Sequence, residues 1–313
     1  LKSWISGRKS KMSMSKEEFN SKYFRSPKEK VMMTEIRIEQ FYNHFGGKVF
    51  LSFSGGKDSQ VLGDIIRNMK SPYNDIEFVF FDTHNENKSV YEVVERYGAT
   101  VVSSPLLPQQ VIEKVGYPLF NKEIAHTIDG LQRDLAWTRE GGISLRAKER
   151  LEKVKERYSL FINSPLHISD GCCNELKKKP SIKFQRETGK YPILATLAVE
   201  SFLRMQAYLR RGACNSFEGK IQSTPIAFWS KQDVLWYIAQ KNLKIADCYG
   251  AKITTHGLLN SKTCELCGVE QTGCMFCGFG KGIDYAKRVL KSKCPEYVKE
   301  HQEEFDSLQE DRK

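Results

Sequence analysis

Ser54-Gly55-Gly56-Lys57-Asp58-Ser59 places two hydroxyls, two glycines, an ammonium and a carboxylate in consecutive positions. That set suits a phosphate chain. Glycines let backbone N–H groups approach an anion closely, the serines offer hydroxyls, and Lys57 offers a compact positive charge. An apolar run at 49–53 precedes the group, and Val61, Leu62, Ile65 and Ile66 follow it at helical spacing. The pattern reads as strand, loop and helix. A helix N-terminus adds backbone donors and a favourable dipole, and Asp58 in the first turn suits that dipole. The spacing is not that of the Gly-x-x-x-x-Gly-Lys-Ser/Thr loop.

Thiols form the second chemical set. The chain has 9 cysteines. Cys172 and Cys173 are adjacent, and two Cys-x-x-Cys pairs, Cys264/Cys267 and Cys274/Cys277, follow close together. Paired knuckles of this kind point to a metal. Spacing leaves two chemistries open. Cys264, Cys267, Cys274 and Cys277 would make a zinc site, whereas Cys172, Cys173, Cys274 and Cys277 would make a four-thiolate set for a [4Fe-4S] cluster. Cys214 and Cys248 read as buried apolar side chains. Cys294, in Lys291-Ser292-Lys293-Cys294-Pro295, has a basic setting that favours a lowered thiol pKa. His84, His126 and His167 have no pattern that assigns them a role.

The hydrophobic pattern shows which elements must position these groups. Residues 29–45 read as a helix, 76–81 as a second strand ended by Asp82-Thr83, 89–97 as a helix and 100–102 as a third strand. This alternation predicts an α/β fold, a doubly wound and mostly parallel sheet, with a Cys-rich C-terminal segment. Ligands bind such sheets beyond the carboxyl ends of the strands. Both Ser54–Ser59 and Asp82-Thr83 lie at such ends, so they are expected at one pocket. A further strand is expected at 192–196 and an amphipathic helix at 233–240. The expected division is a basic, mobile N-terminal segment over 1–28, a nucleotide-binding domain over 29–248 with a charged, solvated helical insert near 131–158, and a Cys-rich segment with a C-terminal helix over 249–313.

Composition sets the outer bounds. With 313 residues, 40% hydrophobic and 28% charged, the chain is globular in type. A net charge of +11 points to a polyanionic partner, either nucleic acid or a polyphosphate substrate. No basic run is interleaved with aromatics so as to name an RNA-binding module. No apolar stretch approaches the roughly 20 residues that cross a bilayer, and 1–30 lacks the apolar core of a signal peptide. Cysteines without a secretory signal argue for reduced thiols or metal ligands, and for a cytoplasmic location.

Taken together, these residues make the chain resemble the phosphoadenosine phosphosulfate reductase family, within the PP-loop, adenine-nucleotide α-hydrolase-like (HUP-like) superfamily. The resemblance runs over about 29–300. Ser54-Gly-Gly-Lys-Asp-Ser59 is similar to the family's pyrophosphate loop, and Phe80-Phe81-Asp82-Thr83 to the strand end near the nucleotide. Cys172-Cys173 with Lys177 and Pro180 resembles the Cys-Cys-x-x-x-Lys-x-x-Pro element. Glu200-Ser201 with Arg204 resembles Glu-Ser-x-x-Arg. Pro225 through Trp229, Asp233-Val234 and Tyr237-Ile238 follow the family's Pro-to-Tyr-Ile segment, and Thr272-Gly273-Cys274-x-x-Cys277 its Thr-Gly-Cys-x-x-Cys element. The resemblance implies one [4Fe-4S] cluster on Cys172, Cys173, Cys274 and Cys277. It leaves Cys264 and Cys267 as a redox or sulfur-carrying pair, or as zinc ligands if joined by others such as His256. One departure matters: the reductases' Glu-Cys-Gly-x-His tail, which carries the nucleophilic thiol, is absent, and Cys294 lies in Lys-Cys-Pro-Glu instead. In that respect the chain looks closer to the uncharacterised or phage-type branch.

The first functional reading is an enzyme of sulfur metabolism. It uses ATP to activate an acceptor as an adenylate and then transfers sulfur through the cluster, as the wider superfamily's transfer-RNA thiolases and DNA phosphorothioation proteins imply. Ser54, Gly55, Gly56, Lys57, Asp58, Ser59, Asp82, Thr83, Glu200 and Arg204 would bind the nucleotide. Lys57 would stabilise phosphate charge, Asp58 or Asp82 would orient the nucleotide or magnesium, and Cys264 or Cys267 would carry sulfur. Arg210 and Arg211 are further phosphate candidates. The implied partners are an adenine nucleotide, a nucleic-acid acceptor (tRNA or DNA), and a sulfur or electron donor; a membrane is not among them. The second reading is reduction of phosphoadenosine phosphosulfate or adenosine phosphosulfate to release sulfite, with Cys294 as the late thiol. The third is a nucleotide- or nucleic-acid-binding module with a structural metal and no turnover.

Overall fold

The computed structural model describes residues 13–133, 145–256, 261–275 and 277–308. In chain order the elements are α1 (Lys16–Tyr23), α2 (Pro27–His44), β1 (Val49–Ser52), α3 (Lys57–Asn68), β2 (Glu77–Asp82), α4 (Lys88–Arg96), β3 (Thr100–Ser103), α5 (Pro108–Val115), α6 (Lys122–Gln132), α7 (Leu145–Arg157) and α8 (Ser159–Ile162). A π-helical turn at Asn174–Lys178 precedes α9 (Lys179–Thr188), β4 (Tyr191–Leu194), α10 (Phe202–Arg211), β5 (Asn215–Ser216), β6 (Gln222–Ser223), α11 (Lys231–Lys241), β7 (Ala251–His256), β8 (Ser261–Leu266), α12 (Gly282–Lys293), α13 (Pro295–Glu300) and α14 (Gln302–Ser307).

Contacts divide the chain into two compact units. One holds the described residues through Phe81, Glu86–Val102 and Ile182–Thr272; the other holds Asp82–Asn85, Ser103–Ser181 and the described residues from Gly273 on. This is not the linear division expected from composition. Strands β4 and β6 pair beside β1, which ties 182–272 to the chain's first strands.

The first unit contains a six-stranded sheet of order β3-β2-β1-β4-β6-β5. β1 is parallel to β2 and to β4, β4 is parallel to β6, and β5 is antiparallel to β6. The expected mostly parallel α/β sheet is present. Phe50, Leu51, Phe78, Val79 and Phe80 are all buried, as strands covered on both faces require. Val61, Leu62, Ile65 and Ile66 bury the inner face of α3. Gly63 allows that helix to lie close to the sheet, because a Cβ there would come 2.9 Å from the Phe78 ring.

The start of α2 follows from its sequence: Ser26 and Glu29 form a capping box and Pro27 opens the helix. Farther along, Lys30 is 2% exposed and its ammonium sits 2.6 Å from Asp233. Asp233 also accepts from the Ser230 backbone N–H at 2.6 Å, so the buried charge is paired and hydrogen-bonded. The mobile N-terminal segment expected over 1–28 needs correction from residue 13 on. Ser15 and Glu18 cap α1, and Phe19 is buried with its ring against Tyr208. A capped helix with one apolar anchor prevails over the Lys/Ser-rich composition; residues 1–12 of that expectation lie outside the described residues.

The second unit is helical around Leu119, Phe120, Ile128, Phe161, Ile168 and Leu290. The charged insert is a helix where it is described, but not a fully solvated one. Leu151 is buried, and Val154 packs against that apolar cluster. Residues 134–144 of the insert lie outside the described residues. Among the described residues no helix is long and apolar enough to cross a membrane.

Candidate functional site

The loop after β1 is held by its own side chains. Ser54 Oγ accepts from the Gly56 backbone N–H at 3.3 Å and donates to Ser59 Oγ at 3.1 Å; Ser59 Oγ donates to the Gly56 carbonyl at 2.8 Å. Gln60 Nε2 donates to the Gly55 carbonyl at 2.9 Å. Both glycines are sterically required. Gly55 has φ of +67°, and a Cβ on Gly56 would meet Thr272 Oγ1 at 2.9 Å. Because Gly56 is the N-cap, no side chain caps α3. Tyr249 Oη takes the Lys57 N–H; the rest of the first turn presents backbone donors and the positive end of the helix dipole, the equipment of an anion site.

A cavity of about 180 Å³ opens on this turn. Ser54, Gly56, Lys57, Asp58, Thr196, Glu200, Arg204, Tyr249, Gln271 and Thr272 line it, together with Ala195. Lys57 Nζ donates to the Glu270 carbonyl at 3.0 Å and lies 3.3 Å from Asp58 Oδ2. Burial pushes the Asp58 carboxyl above its ordinary range, against the pull of Lys57. Its other oxygen, Oδ1, is buried without a hydrogen-bond partner. Glu200 pairs with Arg204 and accepts from Gln271 Nε2 at 3.4 Å. Two cations and two carboxylates thus converge on one polar cavity at a helix N-terminus. The orphaned Asp58 oxygen and the nearby Glu200 carboxylate fit a hard divalent cation that completes its shell with phosphate and water.

Of the expected nucleotide residues, Ser54, Gly56, Lys57, Asp58, Glu200 and Arg204 line this cavity, and Gly55 and Ser59 shape its loop. Asp82 and Thr83 are not brought into its lining. They belong to the second unit, where Cys274 Sγ donates to Thr83 Oγ1 at 3.6 Å and Met275 N–H donates to the Asn85 carbonyl at 2.7 Å. His84 clamps this turn at a φ of +56°. Its backbone N–H donates to Asp82 Oδ1 at 2.8 Å, and its ring nitrogens lie 3.2 Å from Asp82 Oδ2 and 3.2 Å from the Ser104 carbonyl.

The second unit has a cavity of its own, lined by all four residues of the cluster expectation: Cys172, Cys173, Cys274 and Cys277. Leu176, Lys177, Pro118 and Asn85 complete much of the wall. The adjacent pair shares a proton unequally. Cys173 is pulled down to about 6 by the hydrogen bond from Cys172, with Lys122 and Lys177 assisting; Cys172 is pushed up by the same bond and by burial. Among the described residues, no three His, Cys, Asp or Glu side chains are gathered as ligands of one metal ion. A four-iron cube holds its thiolates farther apart than a single ion does, so the four-thiol lining fits that group in donor chemistry.

The other cysteines are placed differently. Cys264 lies in β8 opposite Ile253 of β7, buried, its thiol pushed up by burial and by Glu265. Cys267 is exposed just beyond β8. His256 pairs with Ser261 at the far end of the hairpin, and its Nε2 lies 2.8 Å from Thr263 Oγ1. Cys294 packs beside the second unit's apolar cluster, where burial pushes its thiol up. The expectation of a lowered pKa there is corrected: the neighbouring lysines of the sequence do not outweigh burial.

Tyr249, Gln271 and Lys122 were not legible as site residues. Tyr249 Oη accepts from the Lys57 backbone N–H at 3.0 Å and lies 3.0 Å from Thr272 Oγ1. A lone tyrosine 192 residues from the loop gives no sequence signal of that contact.

Residues 48–110 match the model of the phosphoadenosine phosphosulfate reductase domain. That stretch spans β1, the loop, α3, β2, α4 and β3. No curated protein matches the chain. Among solved structures, the chain is similar to a phosphoadenylyl-sulfate (PAPS) reductase from Candida auris in a phosphate complex, at 14% identity and a TM-score of 0.38, over 79% of this chain and 98% of that one.

Proposed function

We propose that the chain is a nucleotide-using enzyme of sulfur metabolism, as its match to the phosphoadenosine phosphosulfate reductase domain over residues 48–110 suggests, and that it binds ATP in the loop cavity, activates an acceptor oxygen as an adenylate, and supplies sulfur to that acceptor. The acceptor oxygen attacks the α-phosphorus and pyrophosphate leaves; a sulfur nucleophile then displaces AMP. The observation that carries this reading is the composition of the cavity. Lys57 and Arg204 share it with the carboxylates of Asp58 and Glu200. The cations suit phosphate oxygens, while the carboxylates suit a magnesium ion bridging a triphosphate more than a bare phosphosulfate.

Lys57 and the first turn of α3 would stabilise charge on the leaving pyrophosphate. Arg204, on its Glu200 partner, would fix the phosphate chain by its planar fork. Asp58 and Glu200 would hold magnesium. Cys172, Cys173, Cys274 and Cys277 would hold a [4Fe-4S] cluster, which when bound supplies electrons or iron-held sulfide. Lys122 and Lys177 favour the thiolate form of Cys173 that such ligation needs. Exposed Cys267 remains the better candidate of its pair for carrying a persulfide, since Cys264 is buried.

Sulfonucleotide reduction is the second reading, and the family match favours keeping it. It needs an activated thiol, and Cys294, the late candidate, is half-buried with its thiol pushed up. ATP turnover, followed as AMP and pyrophosphate, is expected to fall roughly 100- to 1,000-fold in Lys57→Ala, the scale for loss of one preorganised charge donor. Full turnover in that variant would remove the proposal.

A further inference from the structure

The Lys57 ammonium is engaged on every side. Lys57 is 4% exposed. Its Nζ donates to the Glu270 carbonyl at 3.0 Å, lies 3.3 Å from Asp58 Oδ2 and sits over the Tyr249 ring, 5.6 Å from its centre. An ammonium has three donors, so a phosphate oxygen that reaches Lys57 takes the place of one of these partners. Asp58 is the chain neighbour of Lys57, and Tyr249 is buried and bonded to the Lys57 backbone N–H. The Glu270 carbonyl is the partner that can yield.

Glu270, Gln271 and Thr272 form a short strap along the loop, within the first unit. A residue that lines the loop cavity holds each of them. Lys57 holds the Glu270 carbonyl, Glu200 Oε1 accepts from Gln271 Nε2 at 3.4 Å, and Tyr249 Oη lies 3.0 Å from Thr272 Oγ1. Main-chain bonding does not hold the strap. Among the described residues, the backbone N–H groups of 270–273 make no hydrogen bond within the chain. The Glu270 carboxylate lies 3.5 Å from Lys231 Nζ with both side chains largely exposed, a pair that solvent screens. Immediately before the strap the chain is anchored: the N–H groups of Cys267, Gly268 and Val269 donate to the carbonyls of Gly250, Tyr249 and Cys248 at 3.2, 2.9 and 3.0 Å. The strap is therefore hinged at Val269 and fastened on groups of the loop cavity.

A phosphate chain uses the same groups. Phosphate competes with the Glu270 carbonyl for Lys57, and a bond between two charged groups is stronger than one to a neutral carbonyl. Magnesium competes with the Gln271 amide for the Glu200 carboxylate. With both taken, the strap keeps the Thr272–Tyr249 contact and the screened ion pair. We propose that 270–272 is a latch on the loop cavity, fastened by Lys57 and Glu200 and released when a phosphate chain with its magnesium takes those two groups. This rests on the reading that the cavity binds ATP with magnesium.

The test joins calorimetry to limited proteolysis of the full chain, with inorganic tripolyphosphate plus magnesium and ATP plus magnesium as probes. A glutamate-specific protease is used, and cleavage after Glu270 is followed by mass spectrometry. That cleavage is expected to quicken several-fold with magnesium tripolyphosphate, and less with orthophosphate alone, which competes for Lys57 but not for Glu200. Gln271→Ala and Thr272→Val unfasten the strap while leaving Tyr249 on the Lys57 N–H. Each is expected to bind magnesium tripolyphosphate roughly 2- to 10-fold more tightly than the wild type, the scale of one net hydrogen bond, and to be cut faster after Glu270 with no probe added. Weaker binding in both variants, or slower cleavage of the wild type with the probe, overturns the latch and makes the strap a wall of the binding site. Unchanged binding and cleavage in both variants also overturns it. ATP binding with unchanged cleavage after Glu270 overturns the latch and leaves the activation reading standing. Binding of tripolyphosphate but not ATP removes the activation reading, and the tripolyphosphate results still decide the latch. Binding of neither probe overturns the latch as well.

Discussion

The Tyr249 hydroxyl accepts the backbone N–H of Lys57 at 3.0 Å. That N–H is the first of α3, one of the donors a helix N-terminus offers to an anion. The same hydroxyl lies 3.0 Å from Thr272 Oγ1, two residues before Cys274. The tyrosine thus ties the loop to the segment that leads into the thiol-bearing chain. Tyr249→Phe is expected to leave a buried N–H without a partner and to cost about 1–3 kcal/mol of stability. A lowered melting temperature, with ATP affinity reduced several-fold, is the expected result by scanning fluorimetry and calorimetry. Unchanged values for both would show that the contact does not hold the loop.

Magnesium should matter through Asp58 and Glu200. Removing divalent cations with EDTA is expected to weaken ATP binding at least tenfold in the wild type. Asp58→Asn and Glu200→Gln should each start weaker and respond less to EDTA, because the ion's protein ligands are already diminished. A full EDTA response in both variants would place the ion elsewhere.

The four thiols that line one cavity make a compositional prediction. Anaerobically purified protein is expected to hold about four irons per chain. Cys173→Ser or Cys274→Ser should lose most of the iron, whereas Cys264→Ser and Cys267→Ser should keep it. One zinc per chain, lost in Cys267→Ser, would reverse the assignment.

The Lys30–Asp233 pair predicts a stability effect far from the chemistry. At 2.6 Å, with Lys30 2% exposed, the pair is buried. Lys30→Met leaves Asp233 without its cation and is expected to destabilise by roughly 3–5 kcal/mol. The double variant Lys30→Met, Asp233→Leu should recover part of that loss. Chemical denaturation checks both, and an effect below about 1 kcal/mol for Lys30→Met would contradict the assignment.

Much of the fold was legible because its signals are local. Val49–Ser52 and Glu77–Asp82 are continuous apolar runs, and Ser54–Ser59 is a contiguous group whose residue types state their use. The gathering of Cys172 and Cys173 with Cys274 and Cys277 was legible only through family resemblance, since the pairs lie a hundred residues apart. What was missed depends on tertiary packing. Tyr249 meets Lys57 only after the sheet is built. Thr83, which follows a strand end, accepts from Cys274, a contact that the sequence separation hides. Cys294 looked activated in its basic sequence setting, but burial has the larger effect on its thiol.

The most direct measurement is a calorimetric comparison of ATP and phosphoadenosine phosphosulfate on anaerobic, iron-quantified protein with magnesium present, with products followed as AMP and pyrophosphate or as sulfite. The account predicts preference for ATP, lost in Lys57→Ala, and AMP with pyrophosphate once an acceptor is supplied. Preference for the phosphosulfate with release of sulfite would contradict it.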